Sequence, residues 1–251
     1  MYVTGRSSGR PTEASLGGTI EEAAAEVTER GGIGIPVTCD HRDDDQVAAV
    51  FDRVLSESGH LDLLVNNAFF LSASFFDGTP FWERPLSEWD MVDVGLRSHY
   101  VSSVLAAPMM VSRGQGLIVH TSSFGARYSG SSVAYGIGKA GVDRLTRDAG
   151  LDLAPFGVTS ISLWPGLMTT ERTLTNFAKD PGFLGGMTLD IAESPEFSGR
   201  VIAALADDPN VIRHNGKSLV GAEIALDYGI TDVDGSKPAS LRAVYGGGPF
   251  E

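Results

Sequence analysis

The sequence predicts an α/β fold, a parallel sheet with helices on both faces, and three observations carry that prediction. Short β-branched or apolar runs alternate with helix-length amphipathic segments along the chain, as parallel strands joined by crossover helices require. The helical segments begin and end on recognisable capping residues. Several strand segments run directly into polar turns, which in an open parallel sheet gather at one edge.

The elements follow in order. Tyr2 to Gly5 reads as a strand. Thr19-Ile20-Glu21-Glu22 is a capping box, and Ile20, Ala23, Ala24 and Val27 share one helical face until Gly31-Gly32 stops the helix. A second strand is expected over Ile33 to Thr38. Asp44 then opens a helix whose Val47, Val50, Phe51, Val54 and Leu55 recur at helical spacing up to Gly59. Further strands are expected over Leu61 to Val65, Leu117 to Thr121, Thr159 to Leu163 and Ser218 to Val220. Ser194-Pro195 supplies an N-cap and a first-turn proline for a helix through Ala206, halted by Pro209. Two stretches interrupt the alternation, and long irregular loops tend to carry sites. One runs from Phe69 to Pro85 and holds Phe69, Phe70, Phe75, Phe76, Phe81 and Trp82, which either wall a substrate site or bury loop surface. The other runs from about Leu167 to Glu193. No internal repeat is present, and Gly246-Gly247-Gly248 marks a loose tail, taken from residue 236 onward.

Composition narrows the function classes. A chain of 251 residues with 42% apolar residues suits one domain, 1–251. No apolar run approaches the ~20 residues of a membrane helix, and no export signal is visible. The lone Cys39 rules out an internal disulfide and suits a reducing cytoplasm. A net charge of −13 with no basic cluster argues against nucleic acid. His41, His60, His99, His120 and His214 form no metal or nucleophile-elbow pattern, so a Ser-His hydrolase is disfavoured. Asp232-Val233-Asp234-Gly235 lacks the later ligands of a calcium loop and reads as a turn.

The chemistry centres on Tyr135-Gly136-Ile137-Gly138-Lys139, which puts a phenol and an ammonium on one helical face. A phenol has a pKa near ~10, and a cation beside it favours the phenolate and makes it a usable acid or base. Upstream, Leu117-Ile118-Val119 leads into Thr121-Ser122-Ser123, so a strand end offers hydroxyls to a substrate oxygen. Asn66-Asn67-Ala68 closes another strand, and Trp164-Pro165-Gly166 with Thr169-Thr170 closes a third.

That ordered set, NNA, SS, YxxxK and PG with a following threonine, resembles the short-chain dehydrogenases/reductases over residues 1 to 235. Val94-Gly95-Leu96-Arg97-Ser98-His99-Tyr100, Ser162 to Gly166, Asp207-Asp208-Pro209-Asn210 and Thr231 to Gly235 resemble the branch of dehydrogenase/reductase family member 1. The resemblance implies a Rossmann-like doubly wound sheet and an NAD(P)-dependent oxidoreductase interconverting a carbonyl and a secondary alcohol. By it, Tyr135 is the proton donor and acceptor. Lys139 lowers the Tyr135 pKa and holds the nicotinamide ribose, and Ser123, or else Ser122, orients the substrate oxygen. Asn67 and Ala68 would line the adenine ribose, Asp40 and His41 the adenine, and Pro165, Gly166 and Thr170 the nicotinamide. Residues 167–193 would be the substrate loop. Helices from Ser87 to Val111 and Tyr135 to Pro155 would form a homodimer or homotetramer.

The departures are specific. Thr4-Gly5-Arg6-Ser7-Ser8-Gly9-Arg10 is not the family's TGxxxGxG turn, because only one helix separates it from the strand ending at Asp40 and Gly9-Arg10-Pro11 opens no helix. Residues 1–6 align instead with the family's second strand, so the first strand and helix lack a counterpart, the cofactor would lose its main pyrophosphate contacts, and an inactive chain is one expectation for this form. Arg6 then follows the strand that reads the adenosine ribose, which favours the 2′-phosphate of NADP over NAD. Asp93 stands where the family's active-site asparagine falls, so the resemblance makes it a catalytic candidate whose ionised carboxyl cannot donate as an amide does, and Phe69 replaces the glycine of NNAG, so that turn must use a different backbone conformation or a shifted path. The substrate expected is a small carbonyl or alcohol, apolar given the aromatic loop. The competing expectation is a cofactor-free protein of the same fold that acts through oligomeric association.

Overall fold

The computed structural model describes every residue except 10–17, 73, 130–131, 185–186 and 246–251. The glycine run 246–248 and the segment after Gly9 thus lie outside the described residues. Among the described residues six parallel strands alternate with helices: β1 Tyr2–Gly5, α1 Ile20–Glu29, β2 Ile35–Thr38, α2 Asp44–Ser58, β3 Leu63–Asn66, α3 Asp90–Val92, α4 Ser98–Val111, β4 Gly116–Thr121, α5 Val133–Leu153, β5 Val158–Trp164, α6 Glu171–Lys179, α7 Pro195–Ala206, β6 Ser218–Val220, α8 Gly221–Tyr228 and α9 Arg242–Tyr245.

Local chemistry sets the helix ends. Thr19 Oγ1 accepts from the Glu22 backbone N–H while the Glu22 carboxylate accepts from the Thr19 N–H, so the capping box closes from both sides. Asp43 Oδ1 accepts from the N–H groups of Asp45 and Gln46 to start α2, and Gly59 at φ 72° ends it in the left-handed region. Ser194 caps α7 as its Ser-Pro pair predicts.

The strands fall into two hydrogen-bonded sheets. β1 pairs with β2, and β3-β4-β5-β6 form the other sheet. Every pairing is parallel, so all carboxyl ends lie on one edge of each sheet. One apolar cluster bridges the two: Val47, Val50, Phe51 and Val54 of α2 pack with Cys39, Val37 and Tyr2 on one side and with Leu61, Leu64 and Ala106 on the other. Among the described residues β1 and β3 share no ladder, which leaves Val65 of β3 39% exposed. β4 and β5 are covered on both faces and all seven residues of β5 are buried, as central parallel strands demand.

Several boundaries differ from expectation. The second strand starts at Ile35, because Ile33 is exposed and Gly34 passes the α1 backbone so closely that a Cβ there would lie 1.9 Å from the Ala24 carbonyl oxygen. The third strand is Leu63–Asn66, not Leu61 to Val65. The helix expected over Ser87 to Val111 is broken. It opens as a 3₁₀ turn and α3, widens into a π turn at Asp93–Arg97, and only then runs on as α4. The 167–193 loop contains α6, capped by Thr170. The tail is not loose from residue 236: Leu241 is buried with Phe124, Trp164 and Val220, and Arg242 pairs with Glu223.

Candidate active site

The carboxyl end of β4 and the first turns of α5 build the centre. Ser123 follows β4, and its hydroxyl oxygen accepts from the Tyr135 phenol at 2.7 Å and from the Gly125 backbone N–H at 3.1 Å. Both acceptor positions of that hydroxyl are then filled, and its own proton is left to donate to a third oxygen. Gly125 permits the contact, since a Cβ there would sit 2.3 Å from Tyr135 Cε1. One turn further along α5, Lys139 donates to the Thr121 carbonyl at 2.9 Å, which anchors its ammonium at the same strand end. Ser122 points elsewhere: buried, it donates to the Lys139 carbonyl and fastens α5 to β4.

Burial dominates the electrostatics. The Tyr135 phenol is pushed above its ordinary value by desolvation, a shift that the Ser123 hydrogen bond partly offsets. Desolvation also lowers Lys139, to about 8, against the pull of Asp143. The depression of the phenol by Lys139 that the resemblance implies is not expressed in this arrangement of the two side chains. The ammonium lies 5.7 Å from the centre of the Tyr135 ring, with no hydrogen bond to its oxygen. Asp143, which sequence reasoning missed, stands at i+4 from Lys139. It is itself pushed up by burial and accepts from Ser162 Oγ at 2.6 Å and Trp164 Nε1 at 3.0 Å.

Asp93 begins the π turn, half-buried and within electrostatic reach of Arg97. No hydrogen bond among the described residues joins it to Ser123, Tyr135 or Lys139, so it is not part of their network. The aromatic loop divides. Phe69 and Phe75 meet Tyr135 edge-on at 5.6 and 5.2 Å, whereas Phe81 and Trp82 are exposed, and Phe81 lines a separate, mostly apolar cavity with Trp89 and Ile137.

A second cluster gathers at the ends of β1 and β2. His41 Nε2 is 3.0 Å from Thr4 Oγ1, and Arg6 Nη1 lies 4.0 Å from Asp40 Oδ2. Arg42, not foreseen, grips Asp40 through Nε at 3.3 Å and Nη2 at 3.1 Å and holds that carboxyl below the usual range. At the end of β3 it is Asn66 that is buried, with its amide against His99, Ser103 and His120, while Asn67 is exposed and the Ala68 carbonyl meets His99 Nε2. At the end of β5, Pro165-Gly166 rests on the buried Glu193 carboxyl, and the Thr170 hydroxyl is engaged in capping α6.

A parallel α/β sheet whose strand ends bring together a serine, a tyrosine and a lysine one turn later defines an oxidoreductase of the short-chain dehydrogenase family. The chain belongs to that family, as residues 14–180 match its model, described as short chain dehydrogenase. It is 42% identical over 246 residues to Dehydrogenase/reductase SDR family member 1 of Mus musculus, a match that covers 94% of this chain and 75% of that protein. It is 28% identical over 216 residues to a cyclopentanol dehydrogenase of Comamonas sp., across 84% of this chain and 82% of the relative. Among solved structures, a short-chain type dehydrogenase/reductase from Mycobacterium marinum superposes with a TM-score of 0.69 at 26% identity, covering 80% of this chain and 79% of that one. Members of this family generally use NAD or NADP. Among the described residues no helix is long and apolar enough to cross a membrane.

Proposed function

We propose that this chain interconverts a small, largely apolar ketone and its secondary alcohol with NADP, through Tyr135, Ser123 and Lys139. The observation that carries the reading is the 2.7 Å bond from the Tyr135 phenol to a serine hydroxyl whose own proton is left to donate. A substrate oxygen beside Ser123 accepts that proton as a hydrogen bond, and Tyr135 gives a proton to the oxygen in reduction or takes it in oxidation. Lys139 lies next to the phenol and, once its ammonium turns toward the phenol oxygen, favours the phenolate. Phe75 keeps water from the phenol and offers an apolar wall, in keeping with a relative named for a cyclic alcohol.

The residues present fit a dinucleotide at both ends. Lys139 would take ribose hydroxyls, and Pro165, Gly166 and Thr170 would border the nicotinamide. Arg6 and Arg42, two cations at the ends of β1 and β2, suit a 2′-phosphate better than a bare diol, while Asp40 and His41 border the adenine and Asn67 and Ala68 the adjoining ribose. When bound, the cofactor supplies or accepts the hydride. The test is NADPH-dependent reduction of a panel of cyclic and linear ketones by the wild type and by Tyr135→Phe. Turnover lost in the variant supports the reading, and equal turnover in both defeats it.

A further inference from the structure

Phe69 stands where the family's turn carries glycine, yet it needs no unusual backbone, since no non-glycine residue among those described has a positive φ. Its side chain is instead sent into the site. The ring centre lies 4.7 Å from Lys139 Nζ and meets the Tyr135 ring edge-on. It also rests on the π turn, where a Cβ on Gly95 would come within 2.6 Å of Phe69 Cδ2. Lys139 spends one proton on the Thr121 carbonyl, and the two aromatic rings cover it further, leaving the residue 5% exposed. The other titratable groups around it are Asp143 on its own helix and His99 from α4.

We propose that Phe69 is a positioning residue that caps the Lys139 ammonium and turns aside when a ligand bearing hydroxyl groups is bound by that ammonium. The inference rests on the functional reading above. A ring face attracts an ammonium less strongly and less directionally than oxygen acceptors do, so the cap is displaceable by sugar hydroxyls and not by an apolar molecule alone. Displacement requires side-chain rotation on a loop that leaves β3, with no change in the strands. The π turn serves the cap, because only a glycine at position 95 leaves room for the ring. Among the described residues the rings that face the Lys139 ammonium are those of Phe69 and Tyr135, and Phe75 stays as the wall beside Tyr135.

The test follows Lys139 itself, by acetic anhydride labelling and mass spectrometry of its peptide across a pH series, in the wild type, Phe69→Ala, Phe69→Leu and Gly95→Ala. The wild-type amine should label slowly with a midpoint near 8. Phe69→Ala and Gly95→Ala, which remove or push out the ring, should raise the plateau rate at least tenfold and move the midpoint upward. Phe69→Leu keeps the bulk and loses the ring face, so its plateau should stay low and its midpoint fall, which guards against a poorly folded alanine variant. NADPH should protect Lys139 from labelling, and Phe69→Ala should bind NADPH several-fold more tightly than the wild type. Unchanged rate and midpoint in Phe69→Ala would overturn the cap even if NADPH binds. Binding of NADPH by neither protein would defeat the redox reading and the ligand-driven displacement with it, while the labelling would still decide whether Phe69 covers Lys139.

Discussion

Glu193 makes a stability prediction that does not depend on catalysis. The side chain precedes the α7 cap and is 1% exposed. Its backbone is stitched to the Pro-Gly segment, donating to the Leu167 carbonyl at 2.7 Å and accepting from the Thr169 N–H at 2.9 Å. Its carboxyl takes hydrogen bonds from the Gly166 backbone and the Ser198 hydroxyl, but burial outweighs both and pushes it from 4.5 to about 7, with Asp232 adding to the rise. A folded-state pKa raised above the unfolded one means that the native chain binds the proton more tightly. The group's contribution is therefore fully present below pH 4.5 and is lost as pH rises to about 7. With roughly 1.4 kcal/mol per pKa unit, the native state should lose about 2 to 3 kcal/mol between pH 5 and pH 8 from this residue. Glu193→Gln cannot titrate and should lack that loss. Urea unfolding of both proteins at the two pH values measures it. The same pH dependence in wild type and variant would refute the burial argument, as would a wild type that gains stability relative to the variant on going to pH 8.

Other consequences are read from the same geometry. Tyr135→Phe should lower turnover by roughly 10²- to 10⁴-fold with little change in Tm, because it removes a proton donor and leaves the ring contacts in place. Gly125→Ala should displace Tyr135, whose ring lies 2.3 Å from the added methyl, and should impair turnover more than it lowers Tm, as paired kinetics and melting would show. Arg6→Ala combined with Arg42→Ala should weaken NADPH binding by about tenfold or more and leave NADH nearly unchanged, which fluorescence titration of both cofactors checks. Gly34→Ala sets a methyl 1.9 Å from the Ala24 carbonyl oxygen, and the backbone shift should cost about 2 kcal/mol or more in urea unfolding.

What the sequence revealed follows from the range of the interactions. Tyr135, Lys139 and Ser123 were legible because one helical turn and one strand end place them, and both are local patterns. The capping residues Thr19 and Ser194 were legible for the same reason. Arg42 and Asp143 were overlooked although each sits within a few residues of a named one. Their roles depend on which way a side chain turns, and spacing alone does not fix that. Glu193 was invisible because the turn it supports lies 27 positions earlier in the chain and meets it only after folding. The π turn at Asp93–Arg97 was hidden as well, since an extra residue per turn leaves the apolar spacing of the flanking helix almost intact. Phe69 was read as a problem for the backbone, and the structure resolves it in the side chain instead.

The most direct measurement is the thermal stability of the protein titrated with NADPH and, in parallel, with NADH. A ligand held only by the native state raises stability by about 2.7 kcal/mol at a hundred times its Kd. The account predicts a saturable rise in Tm with NADPH, smaller with NADH, that is reduced in Lys139→Ala. No rise with either dinucleotide at millimolar concentration would contradict it.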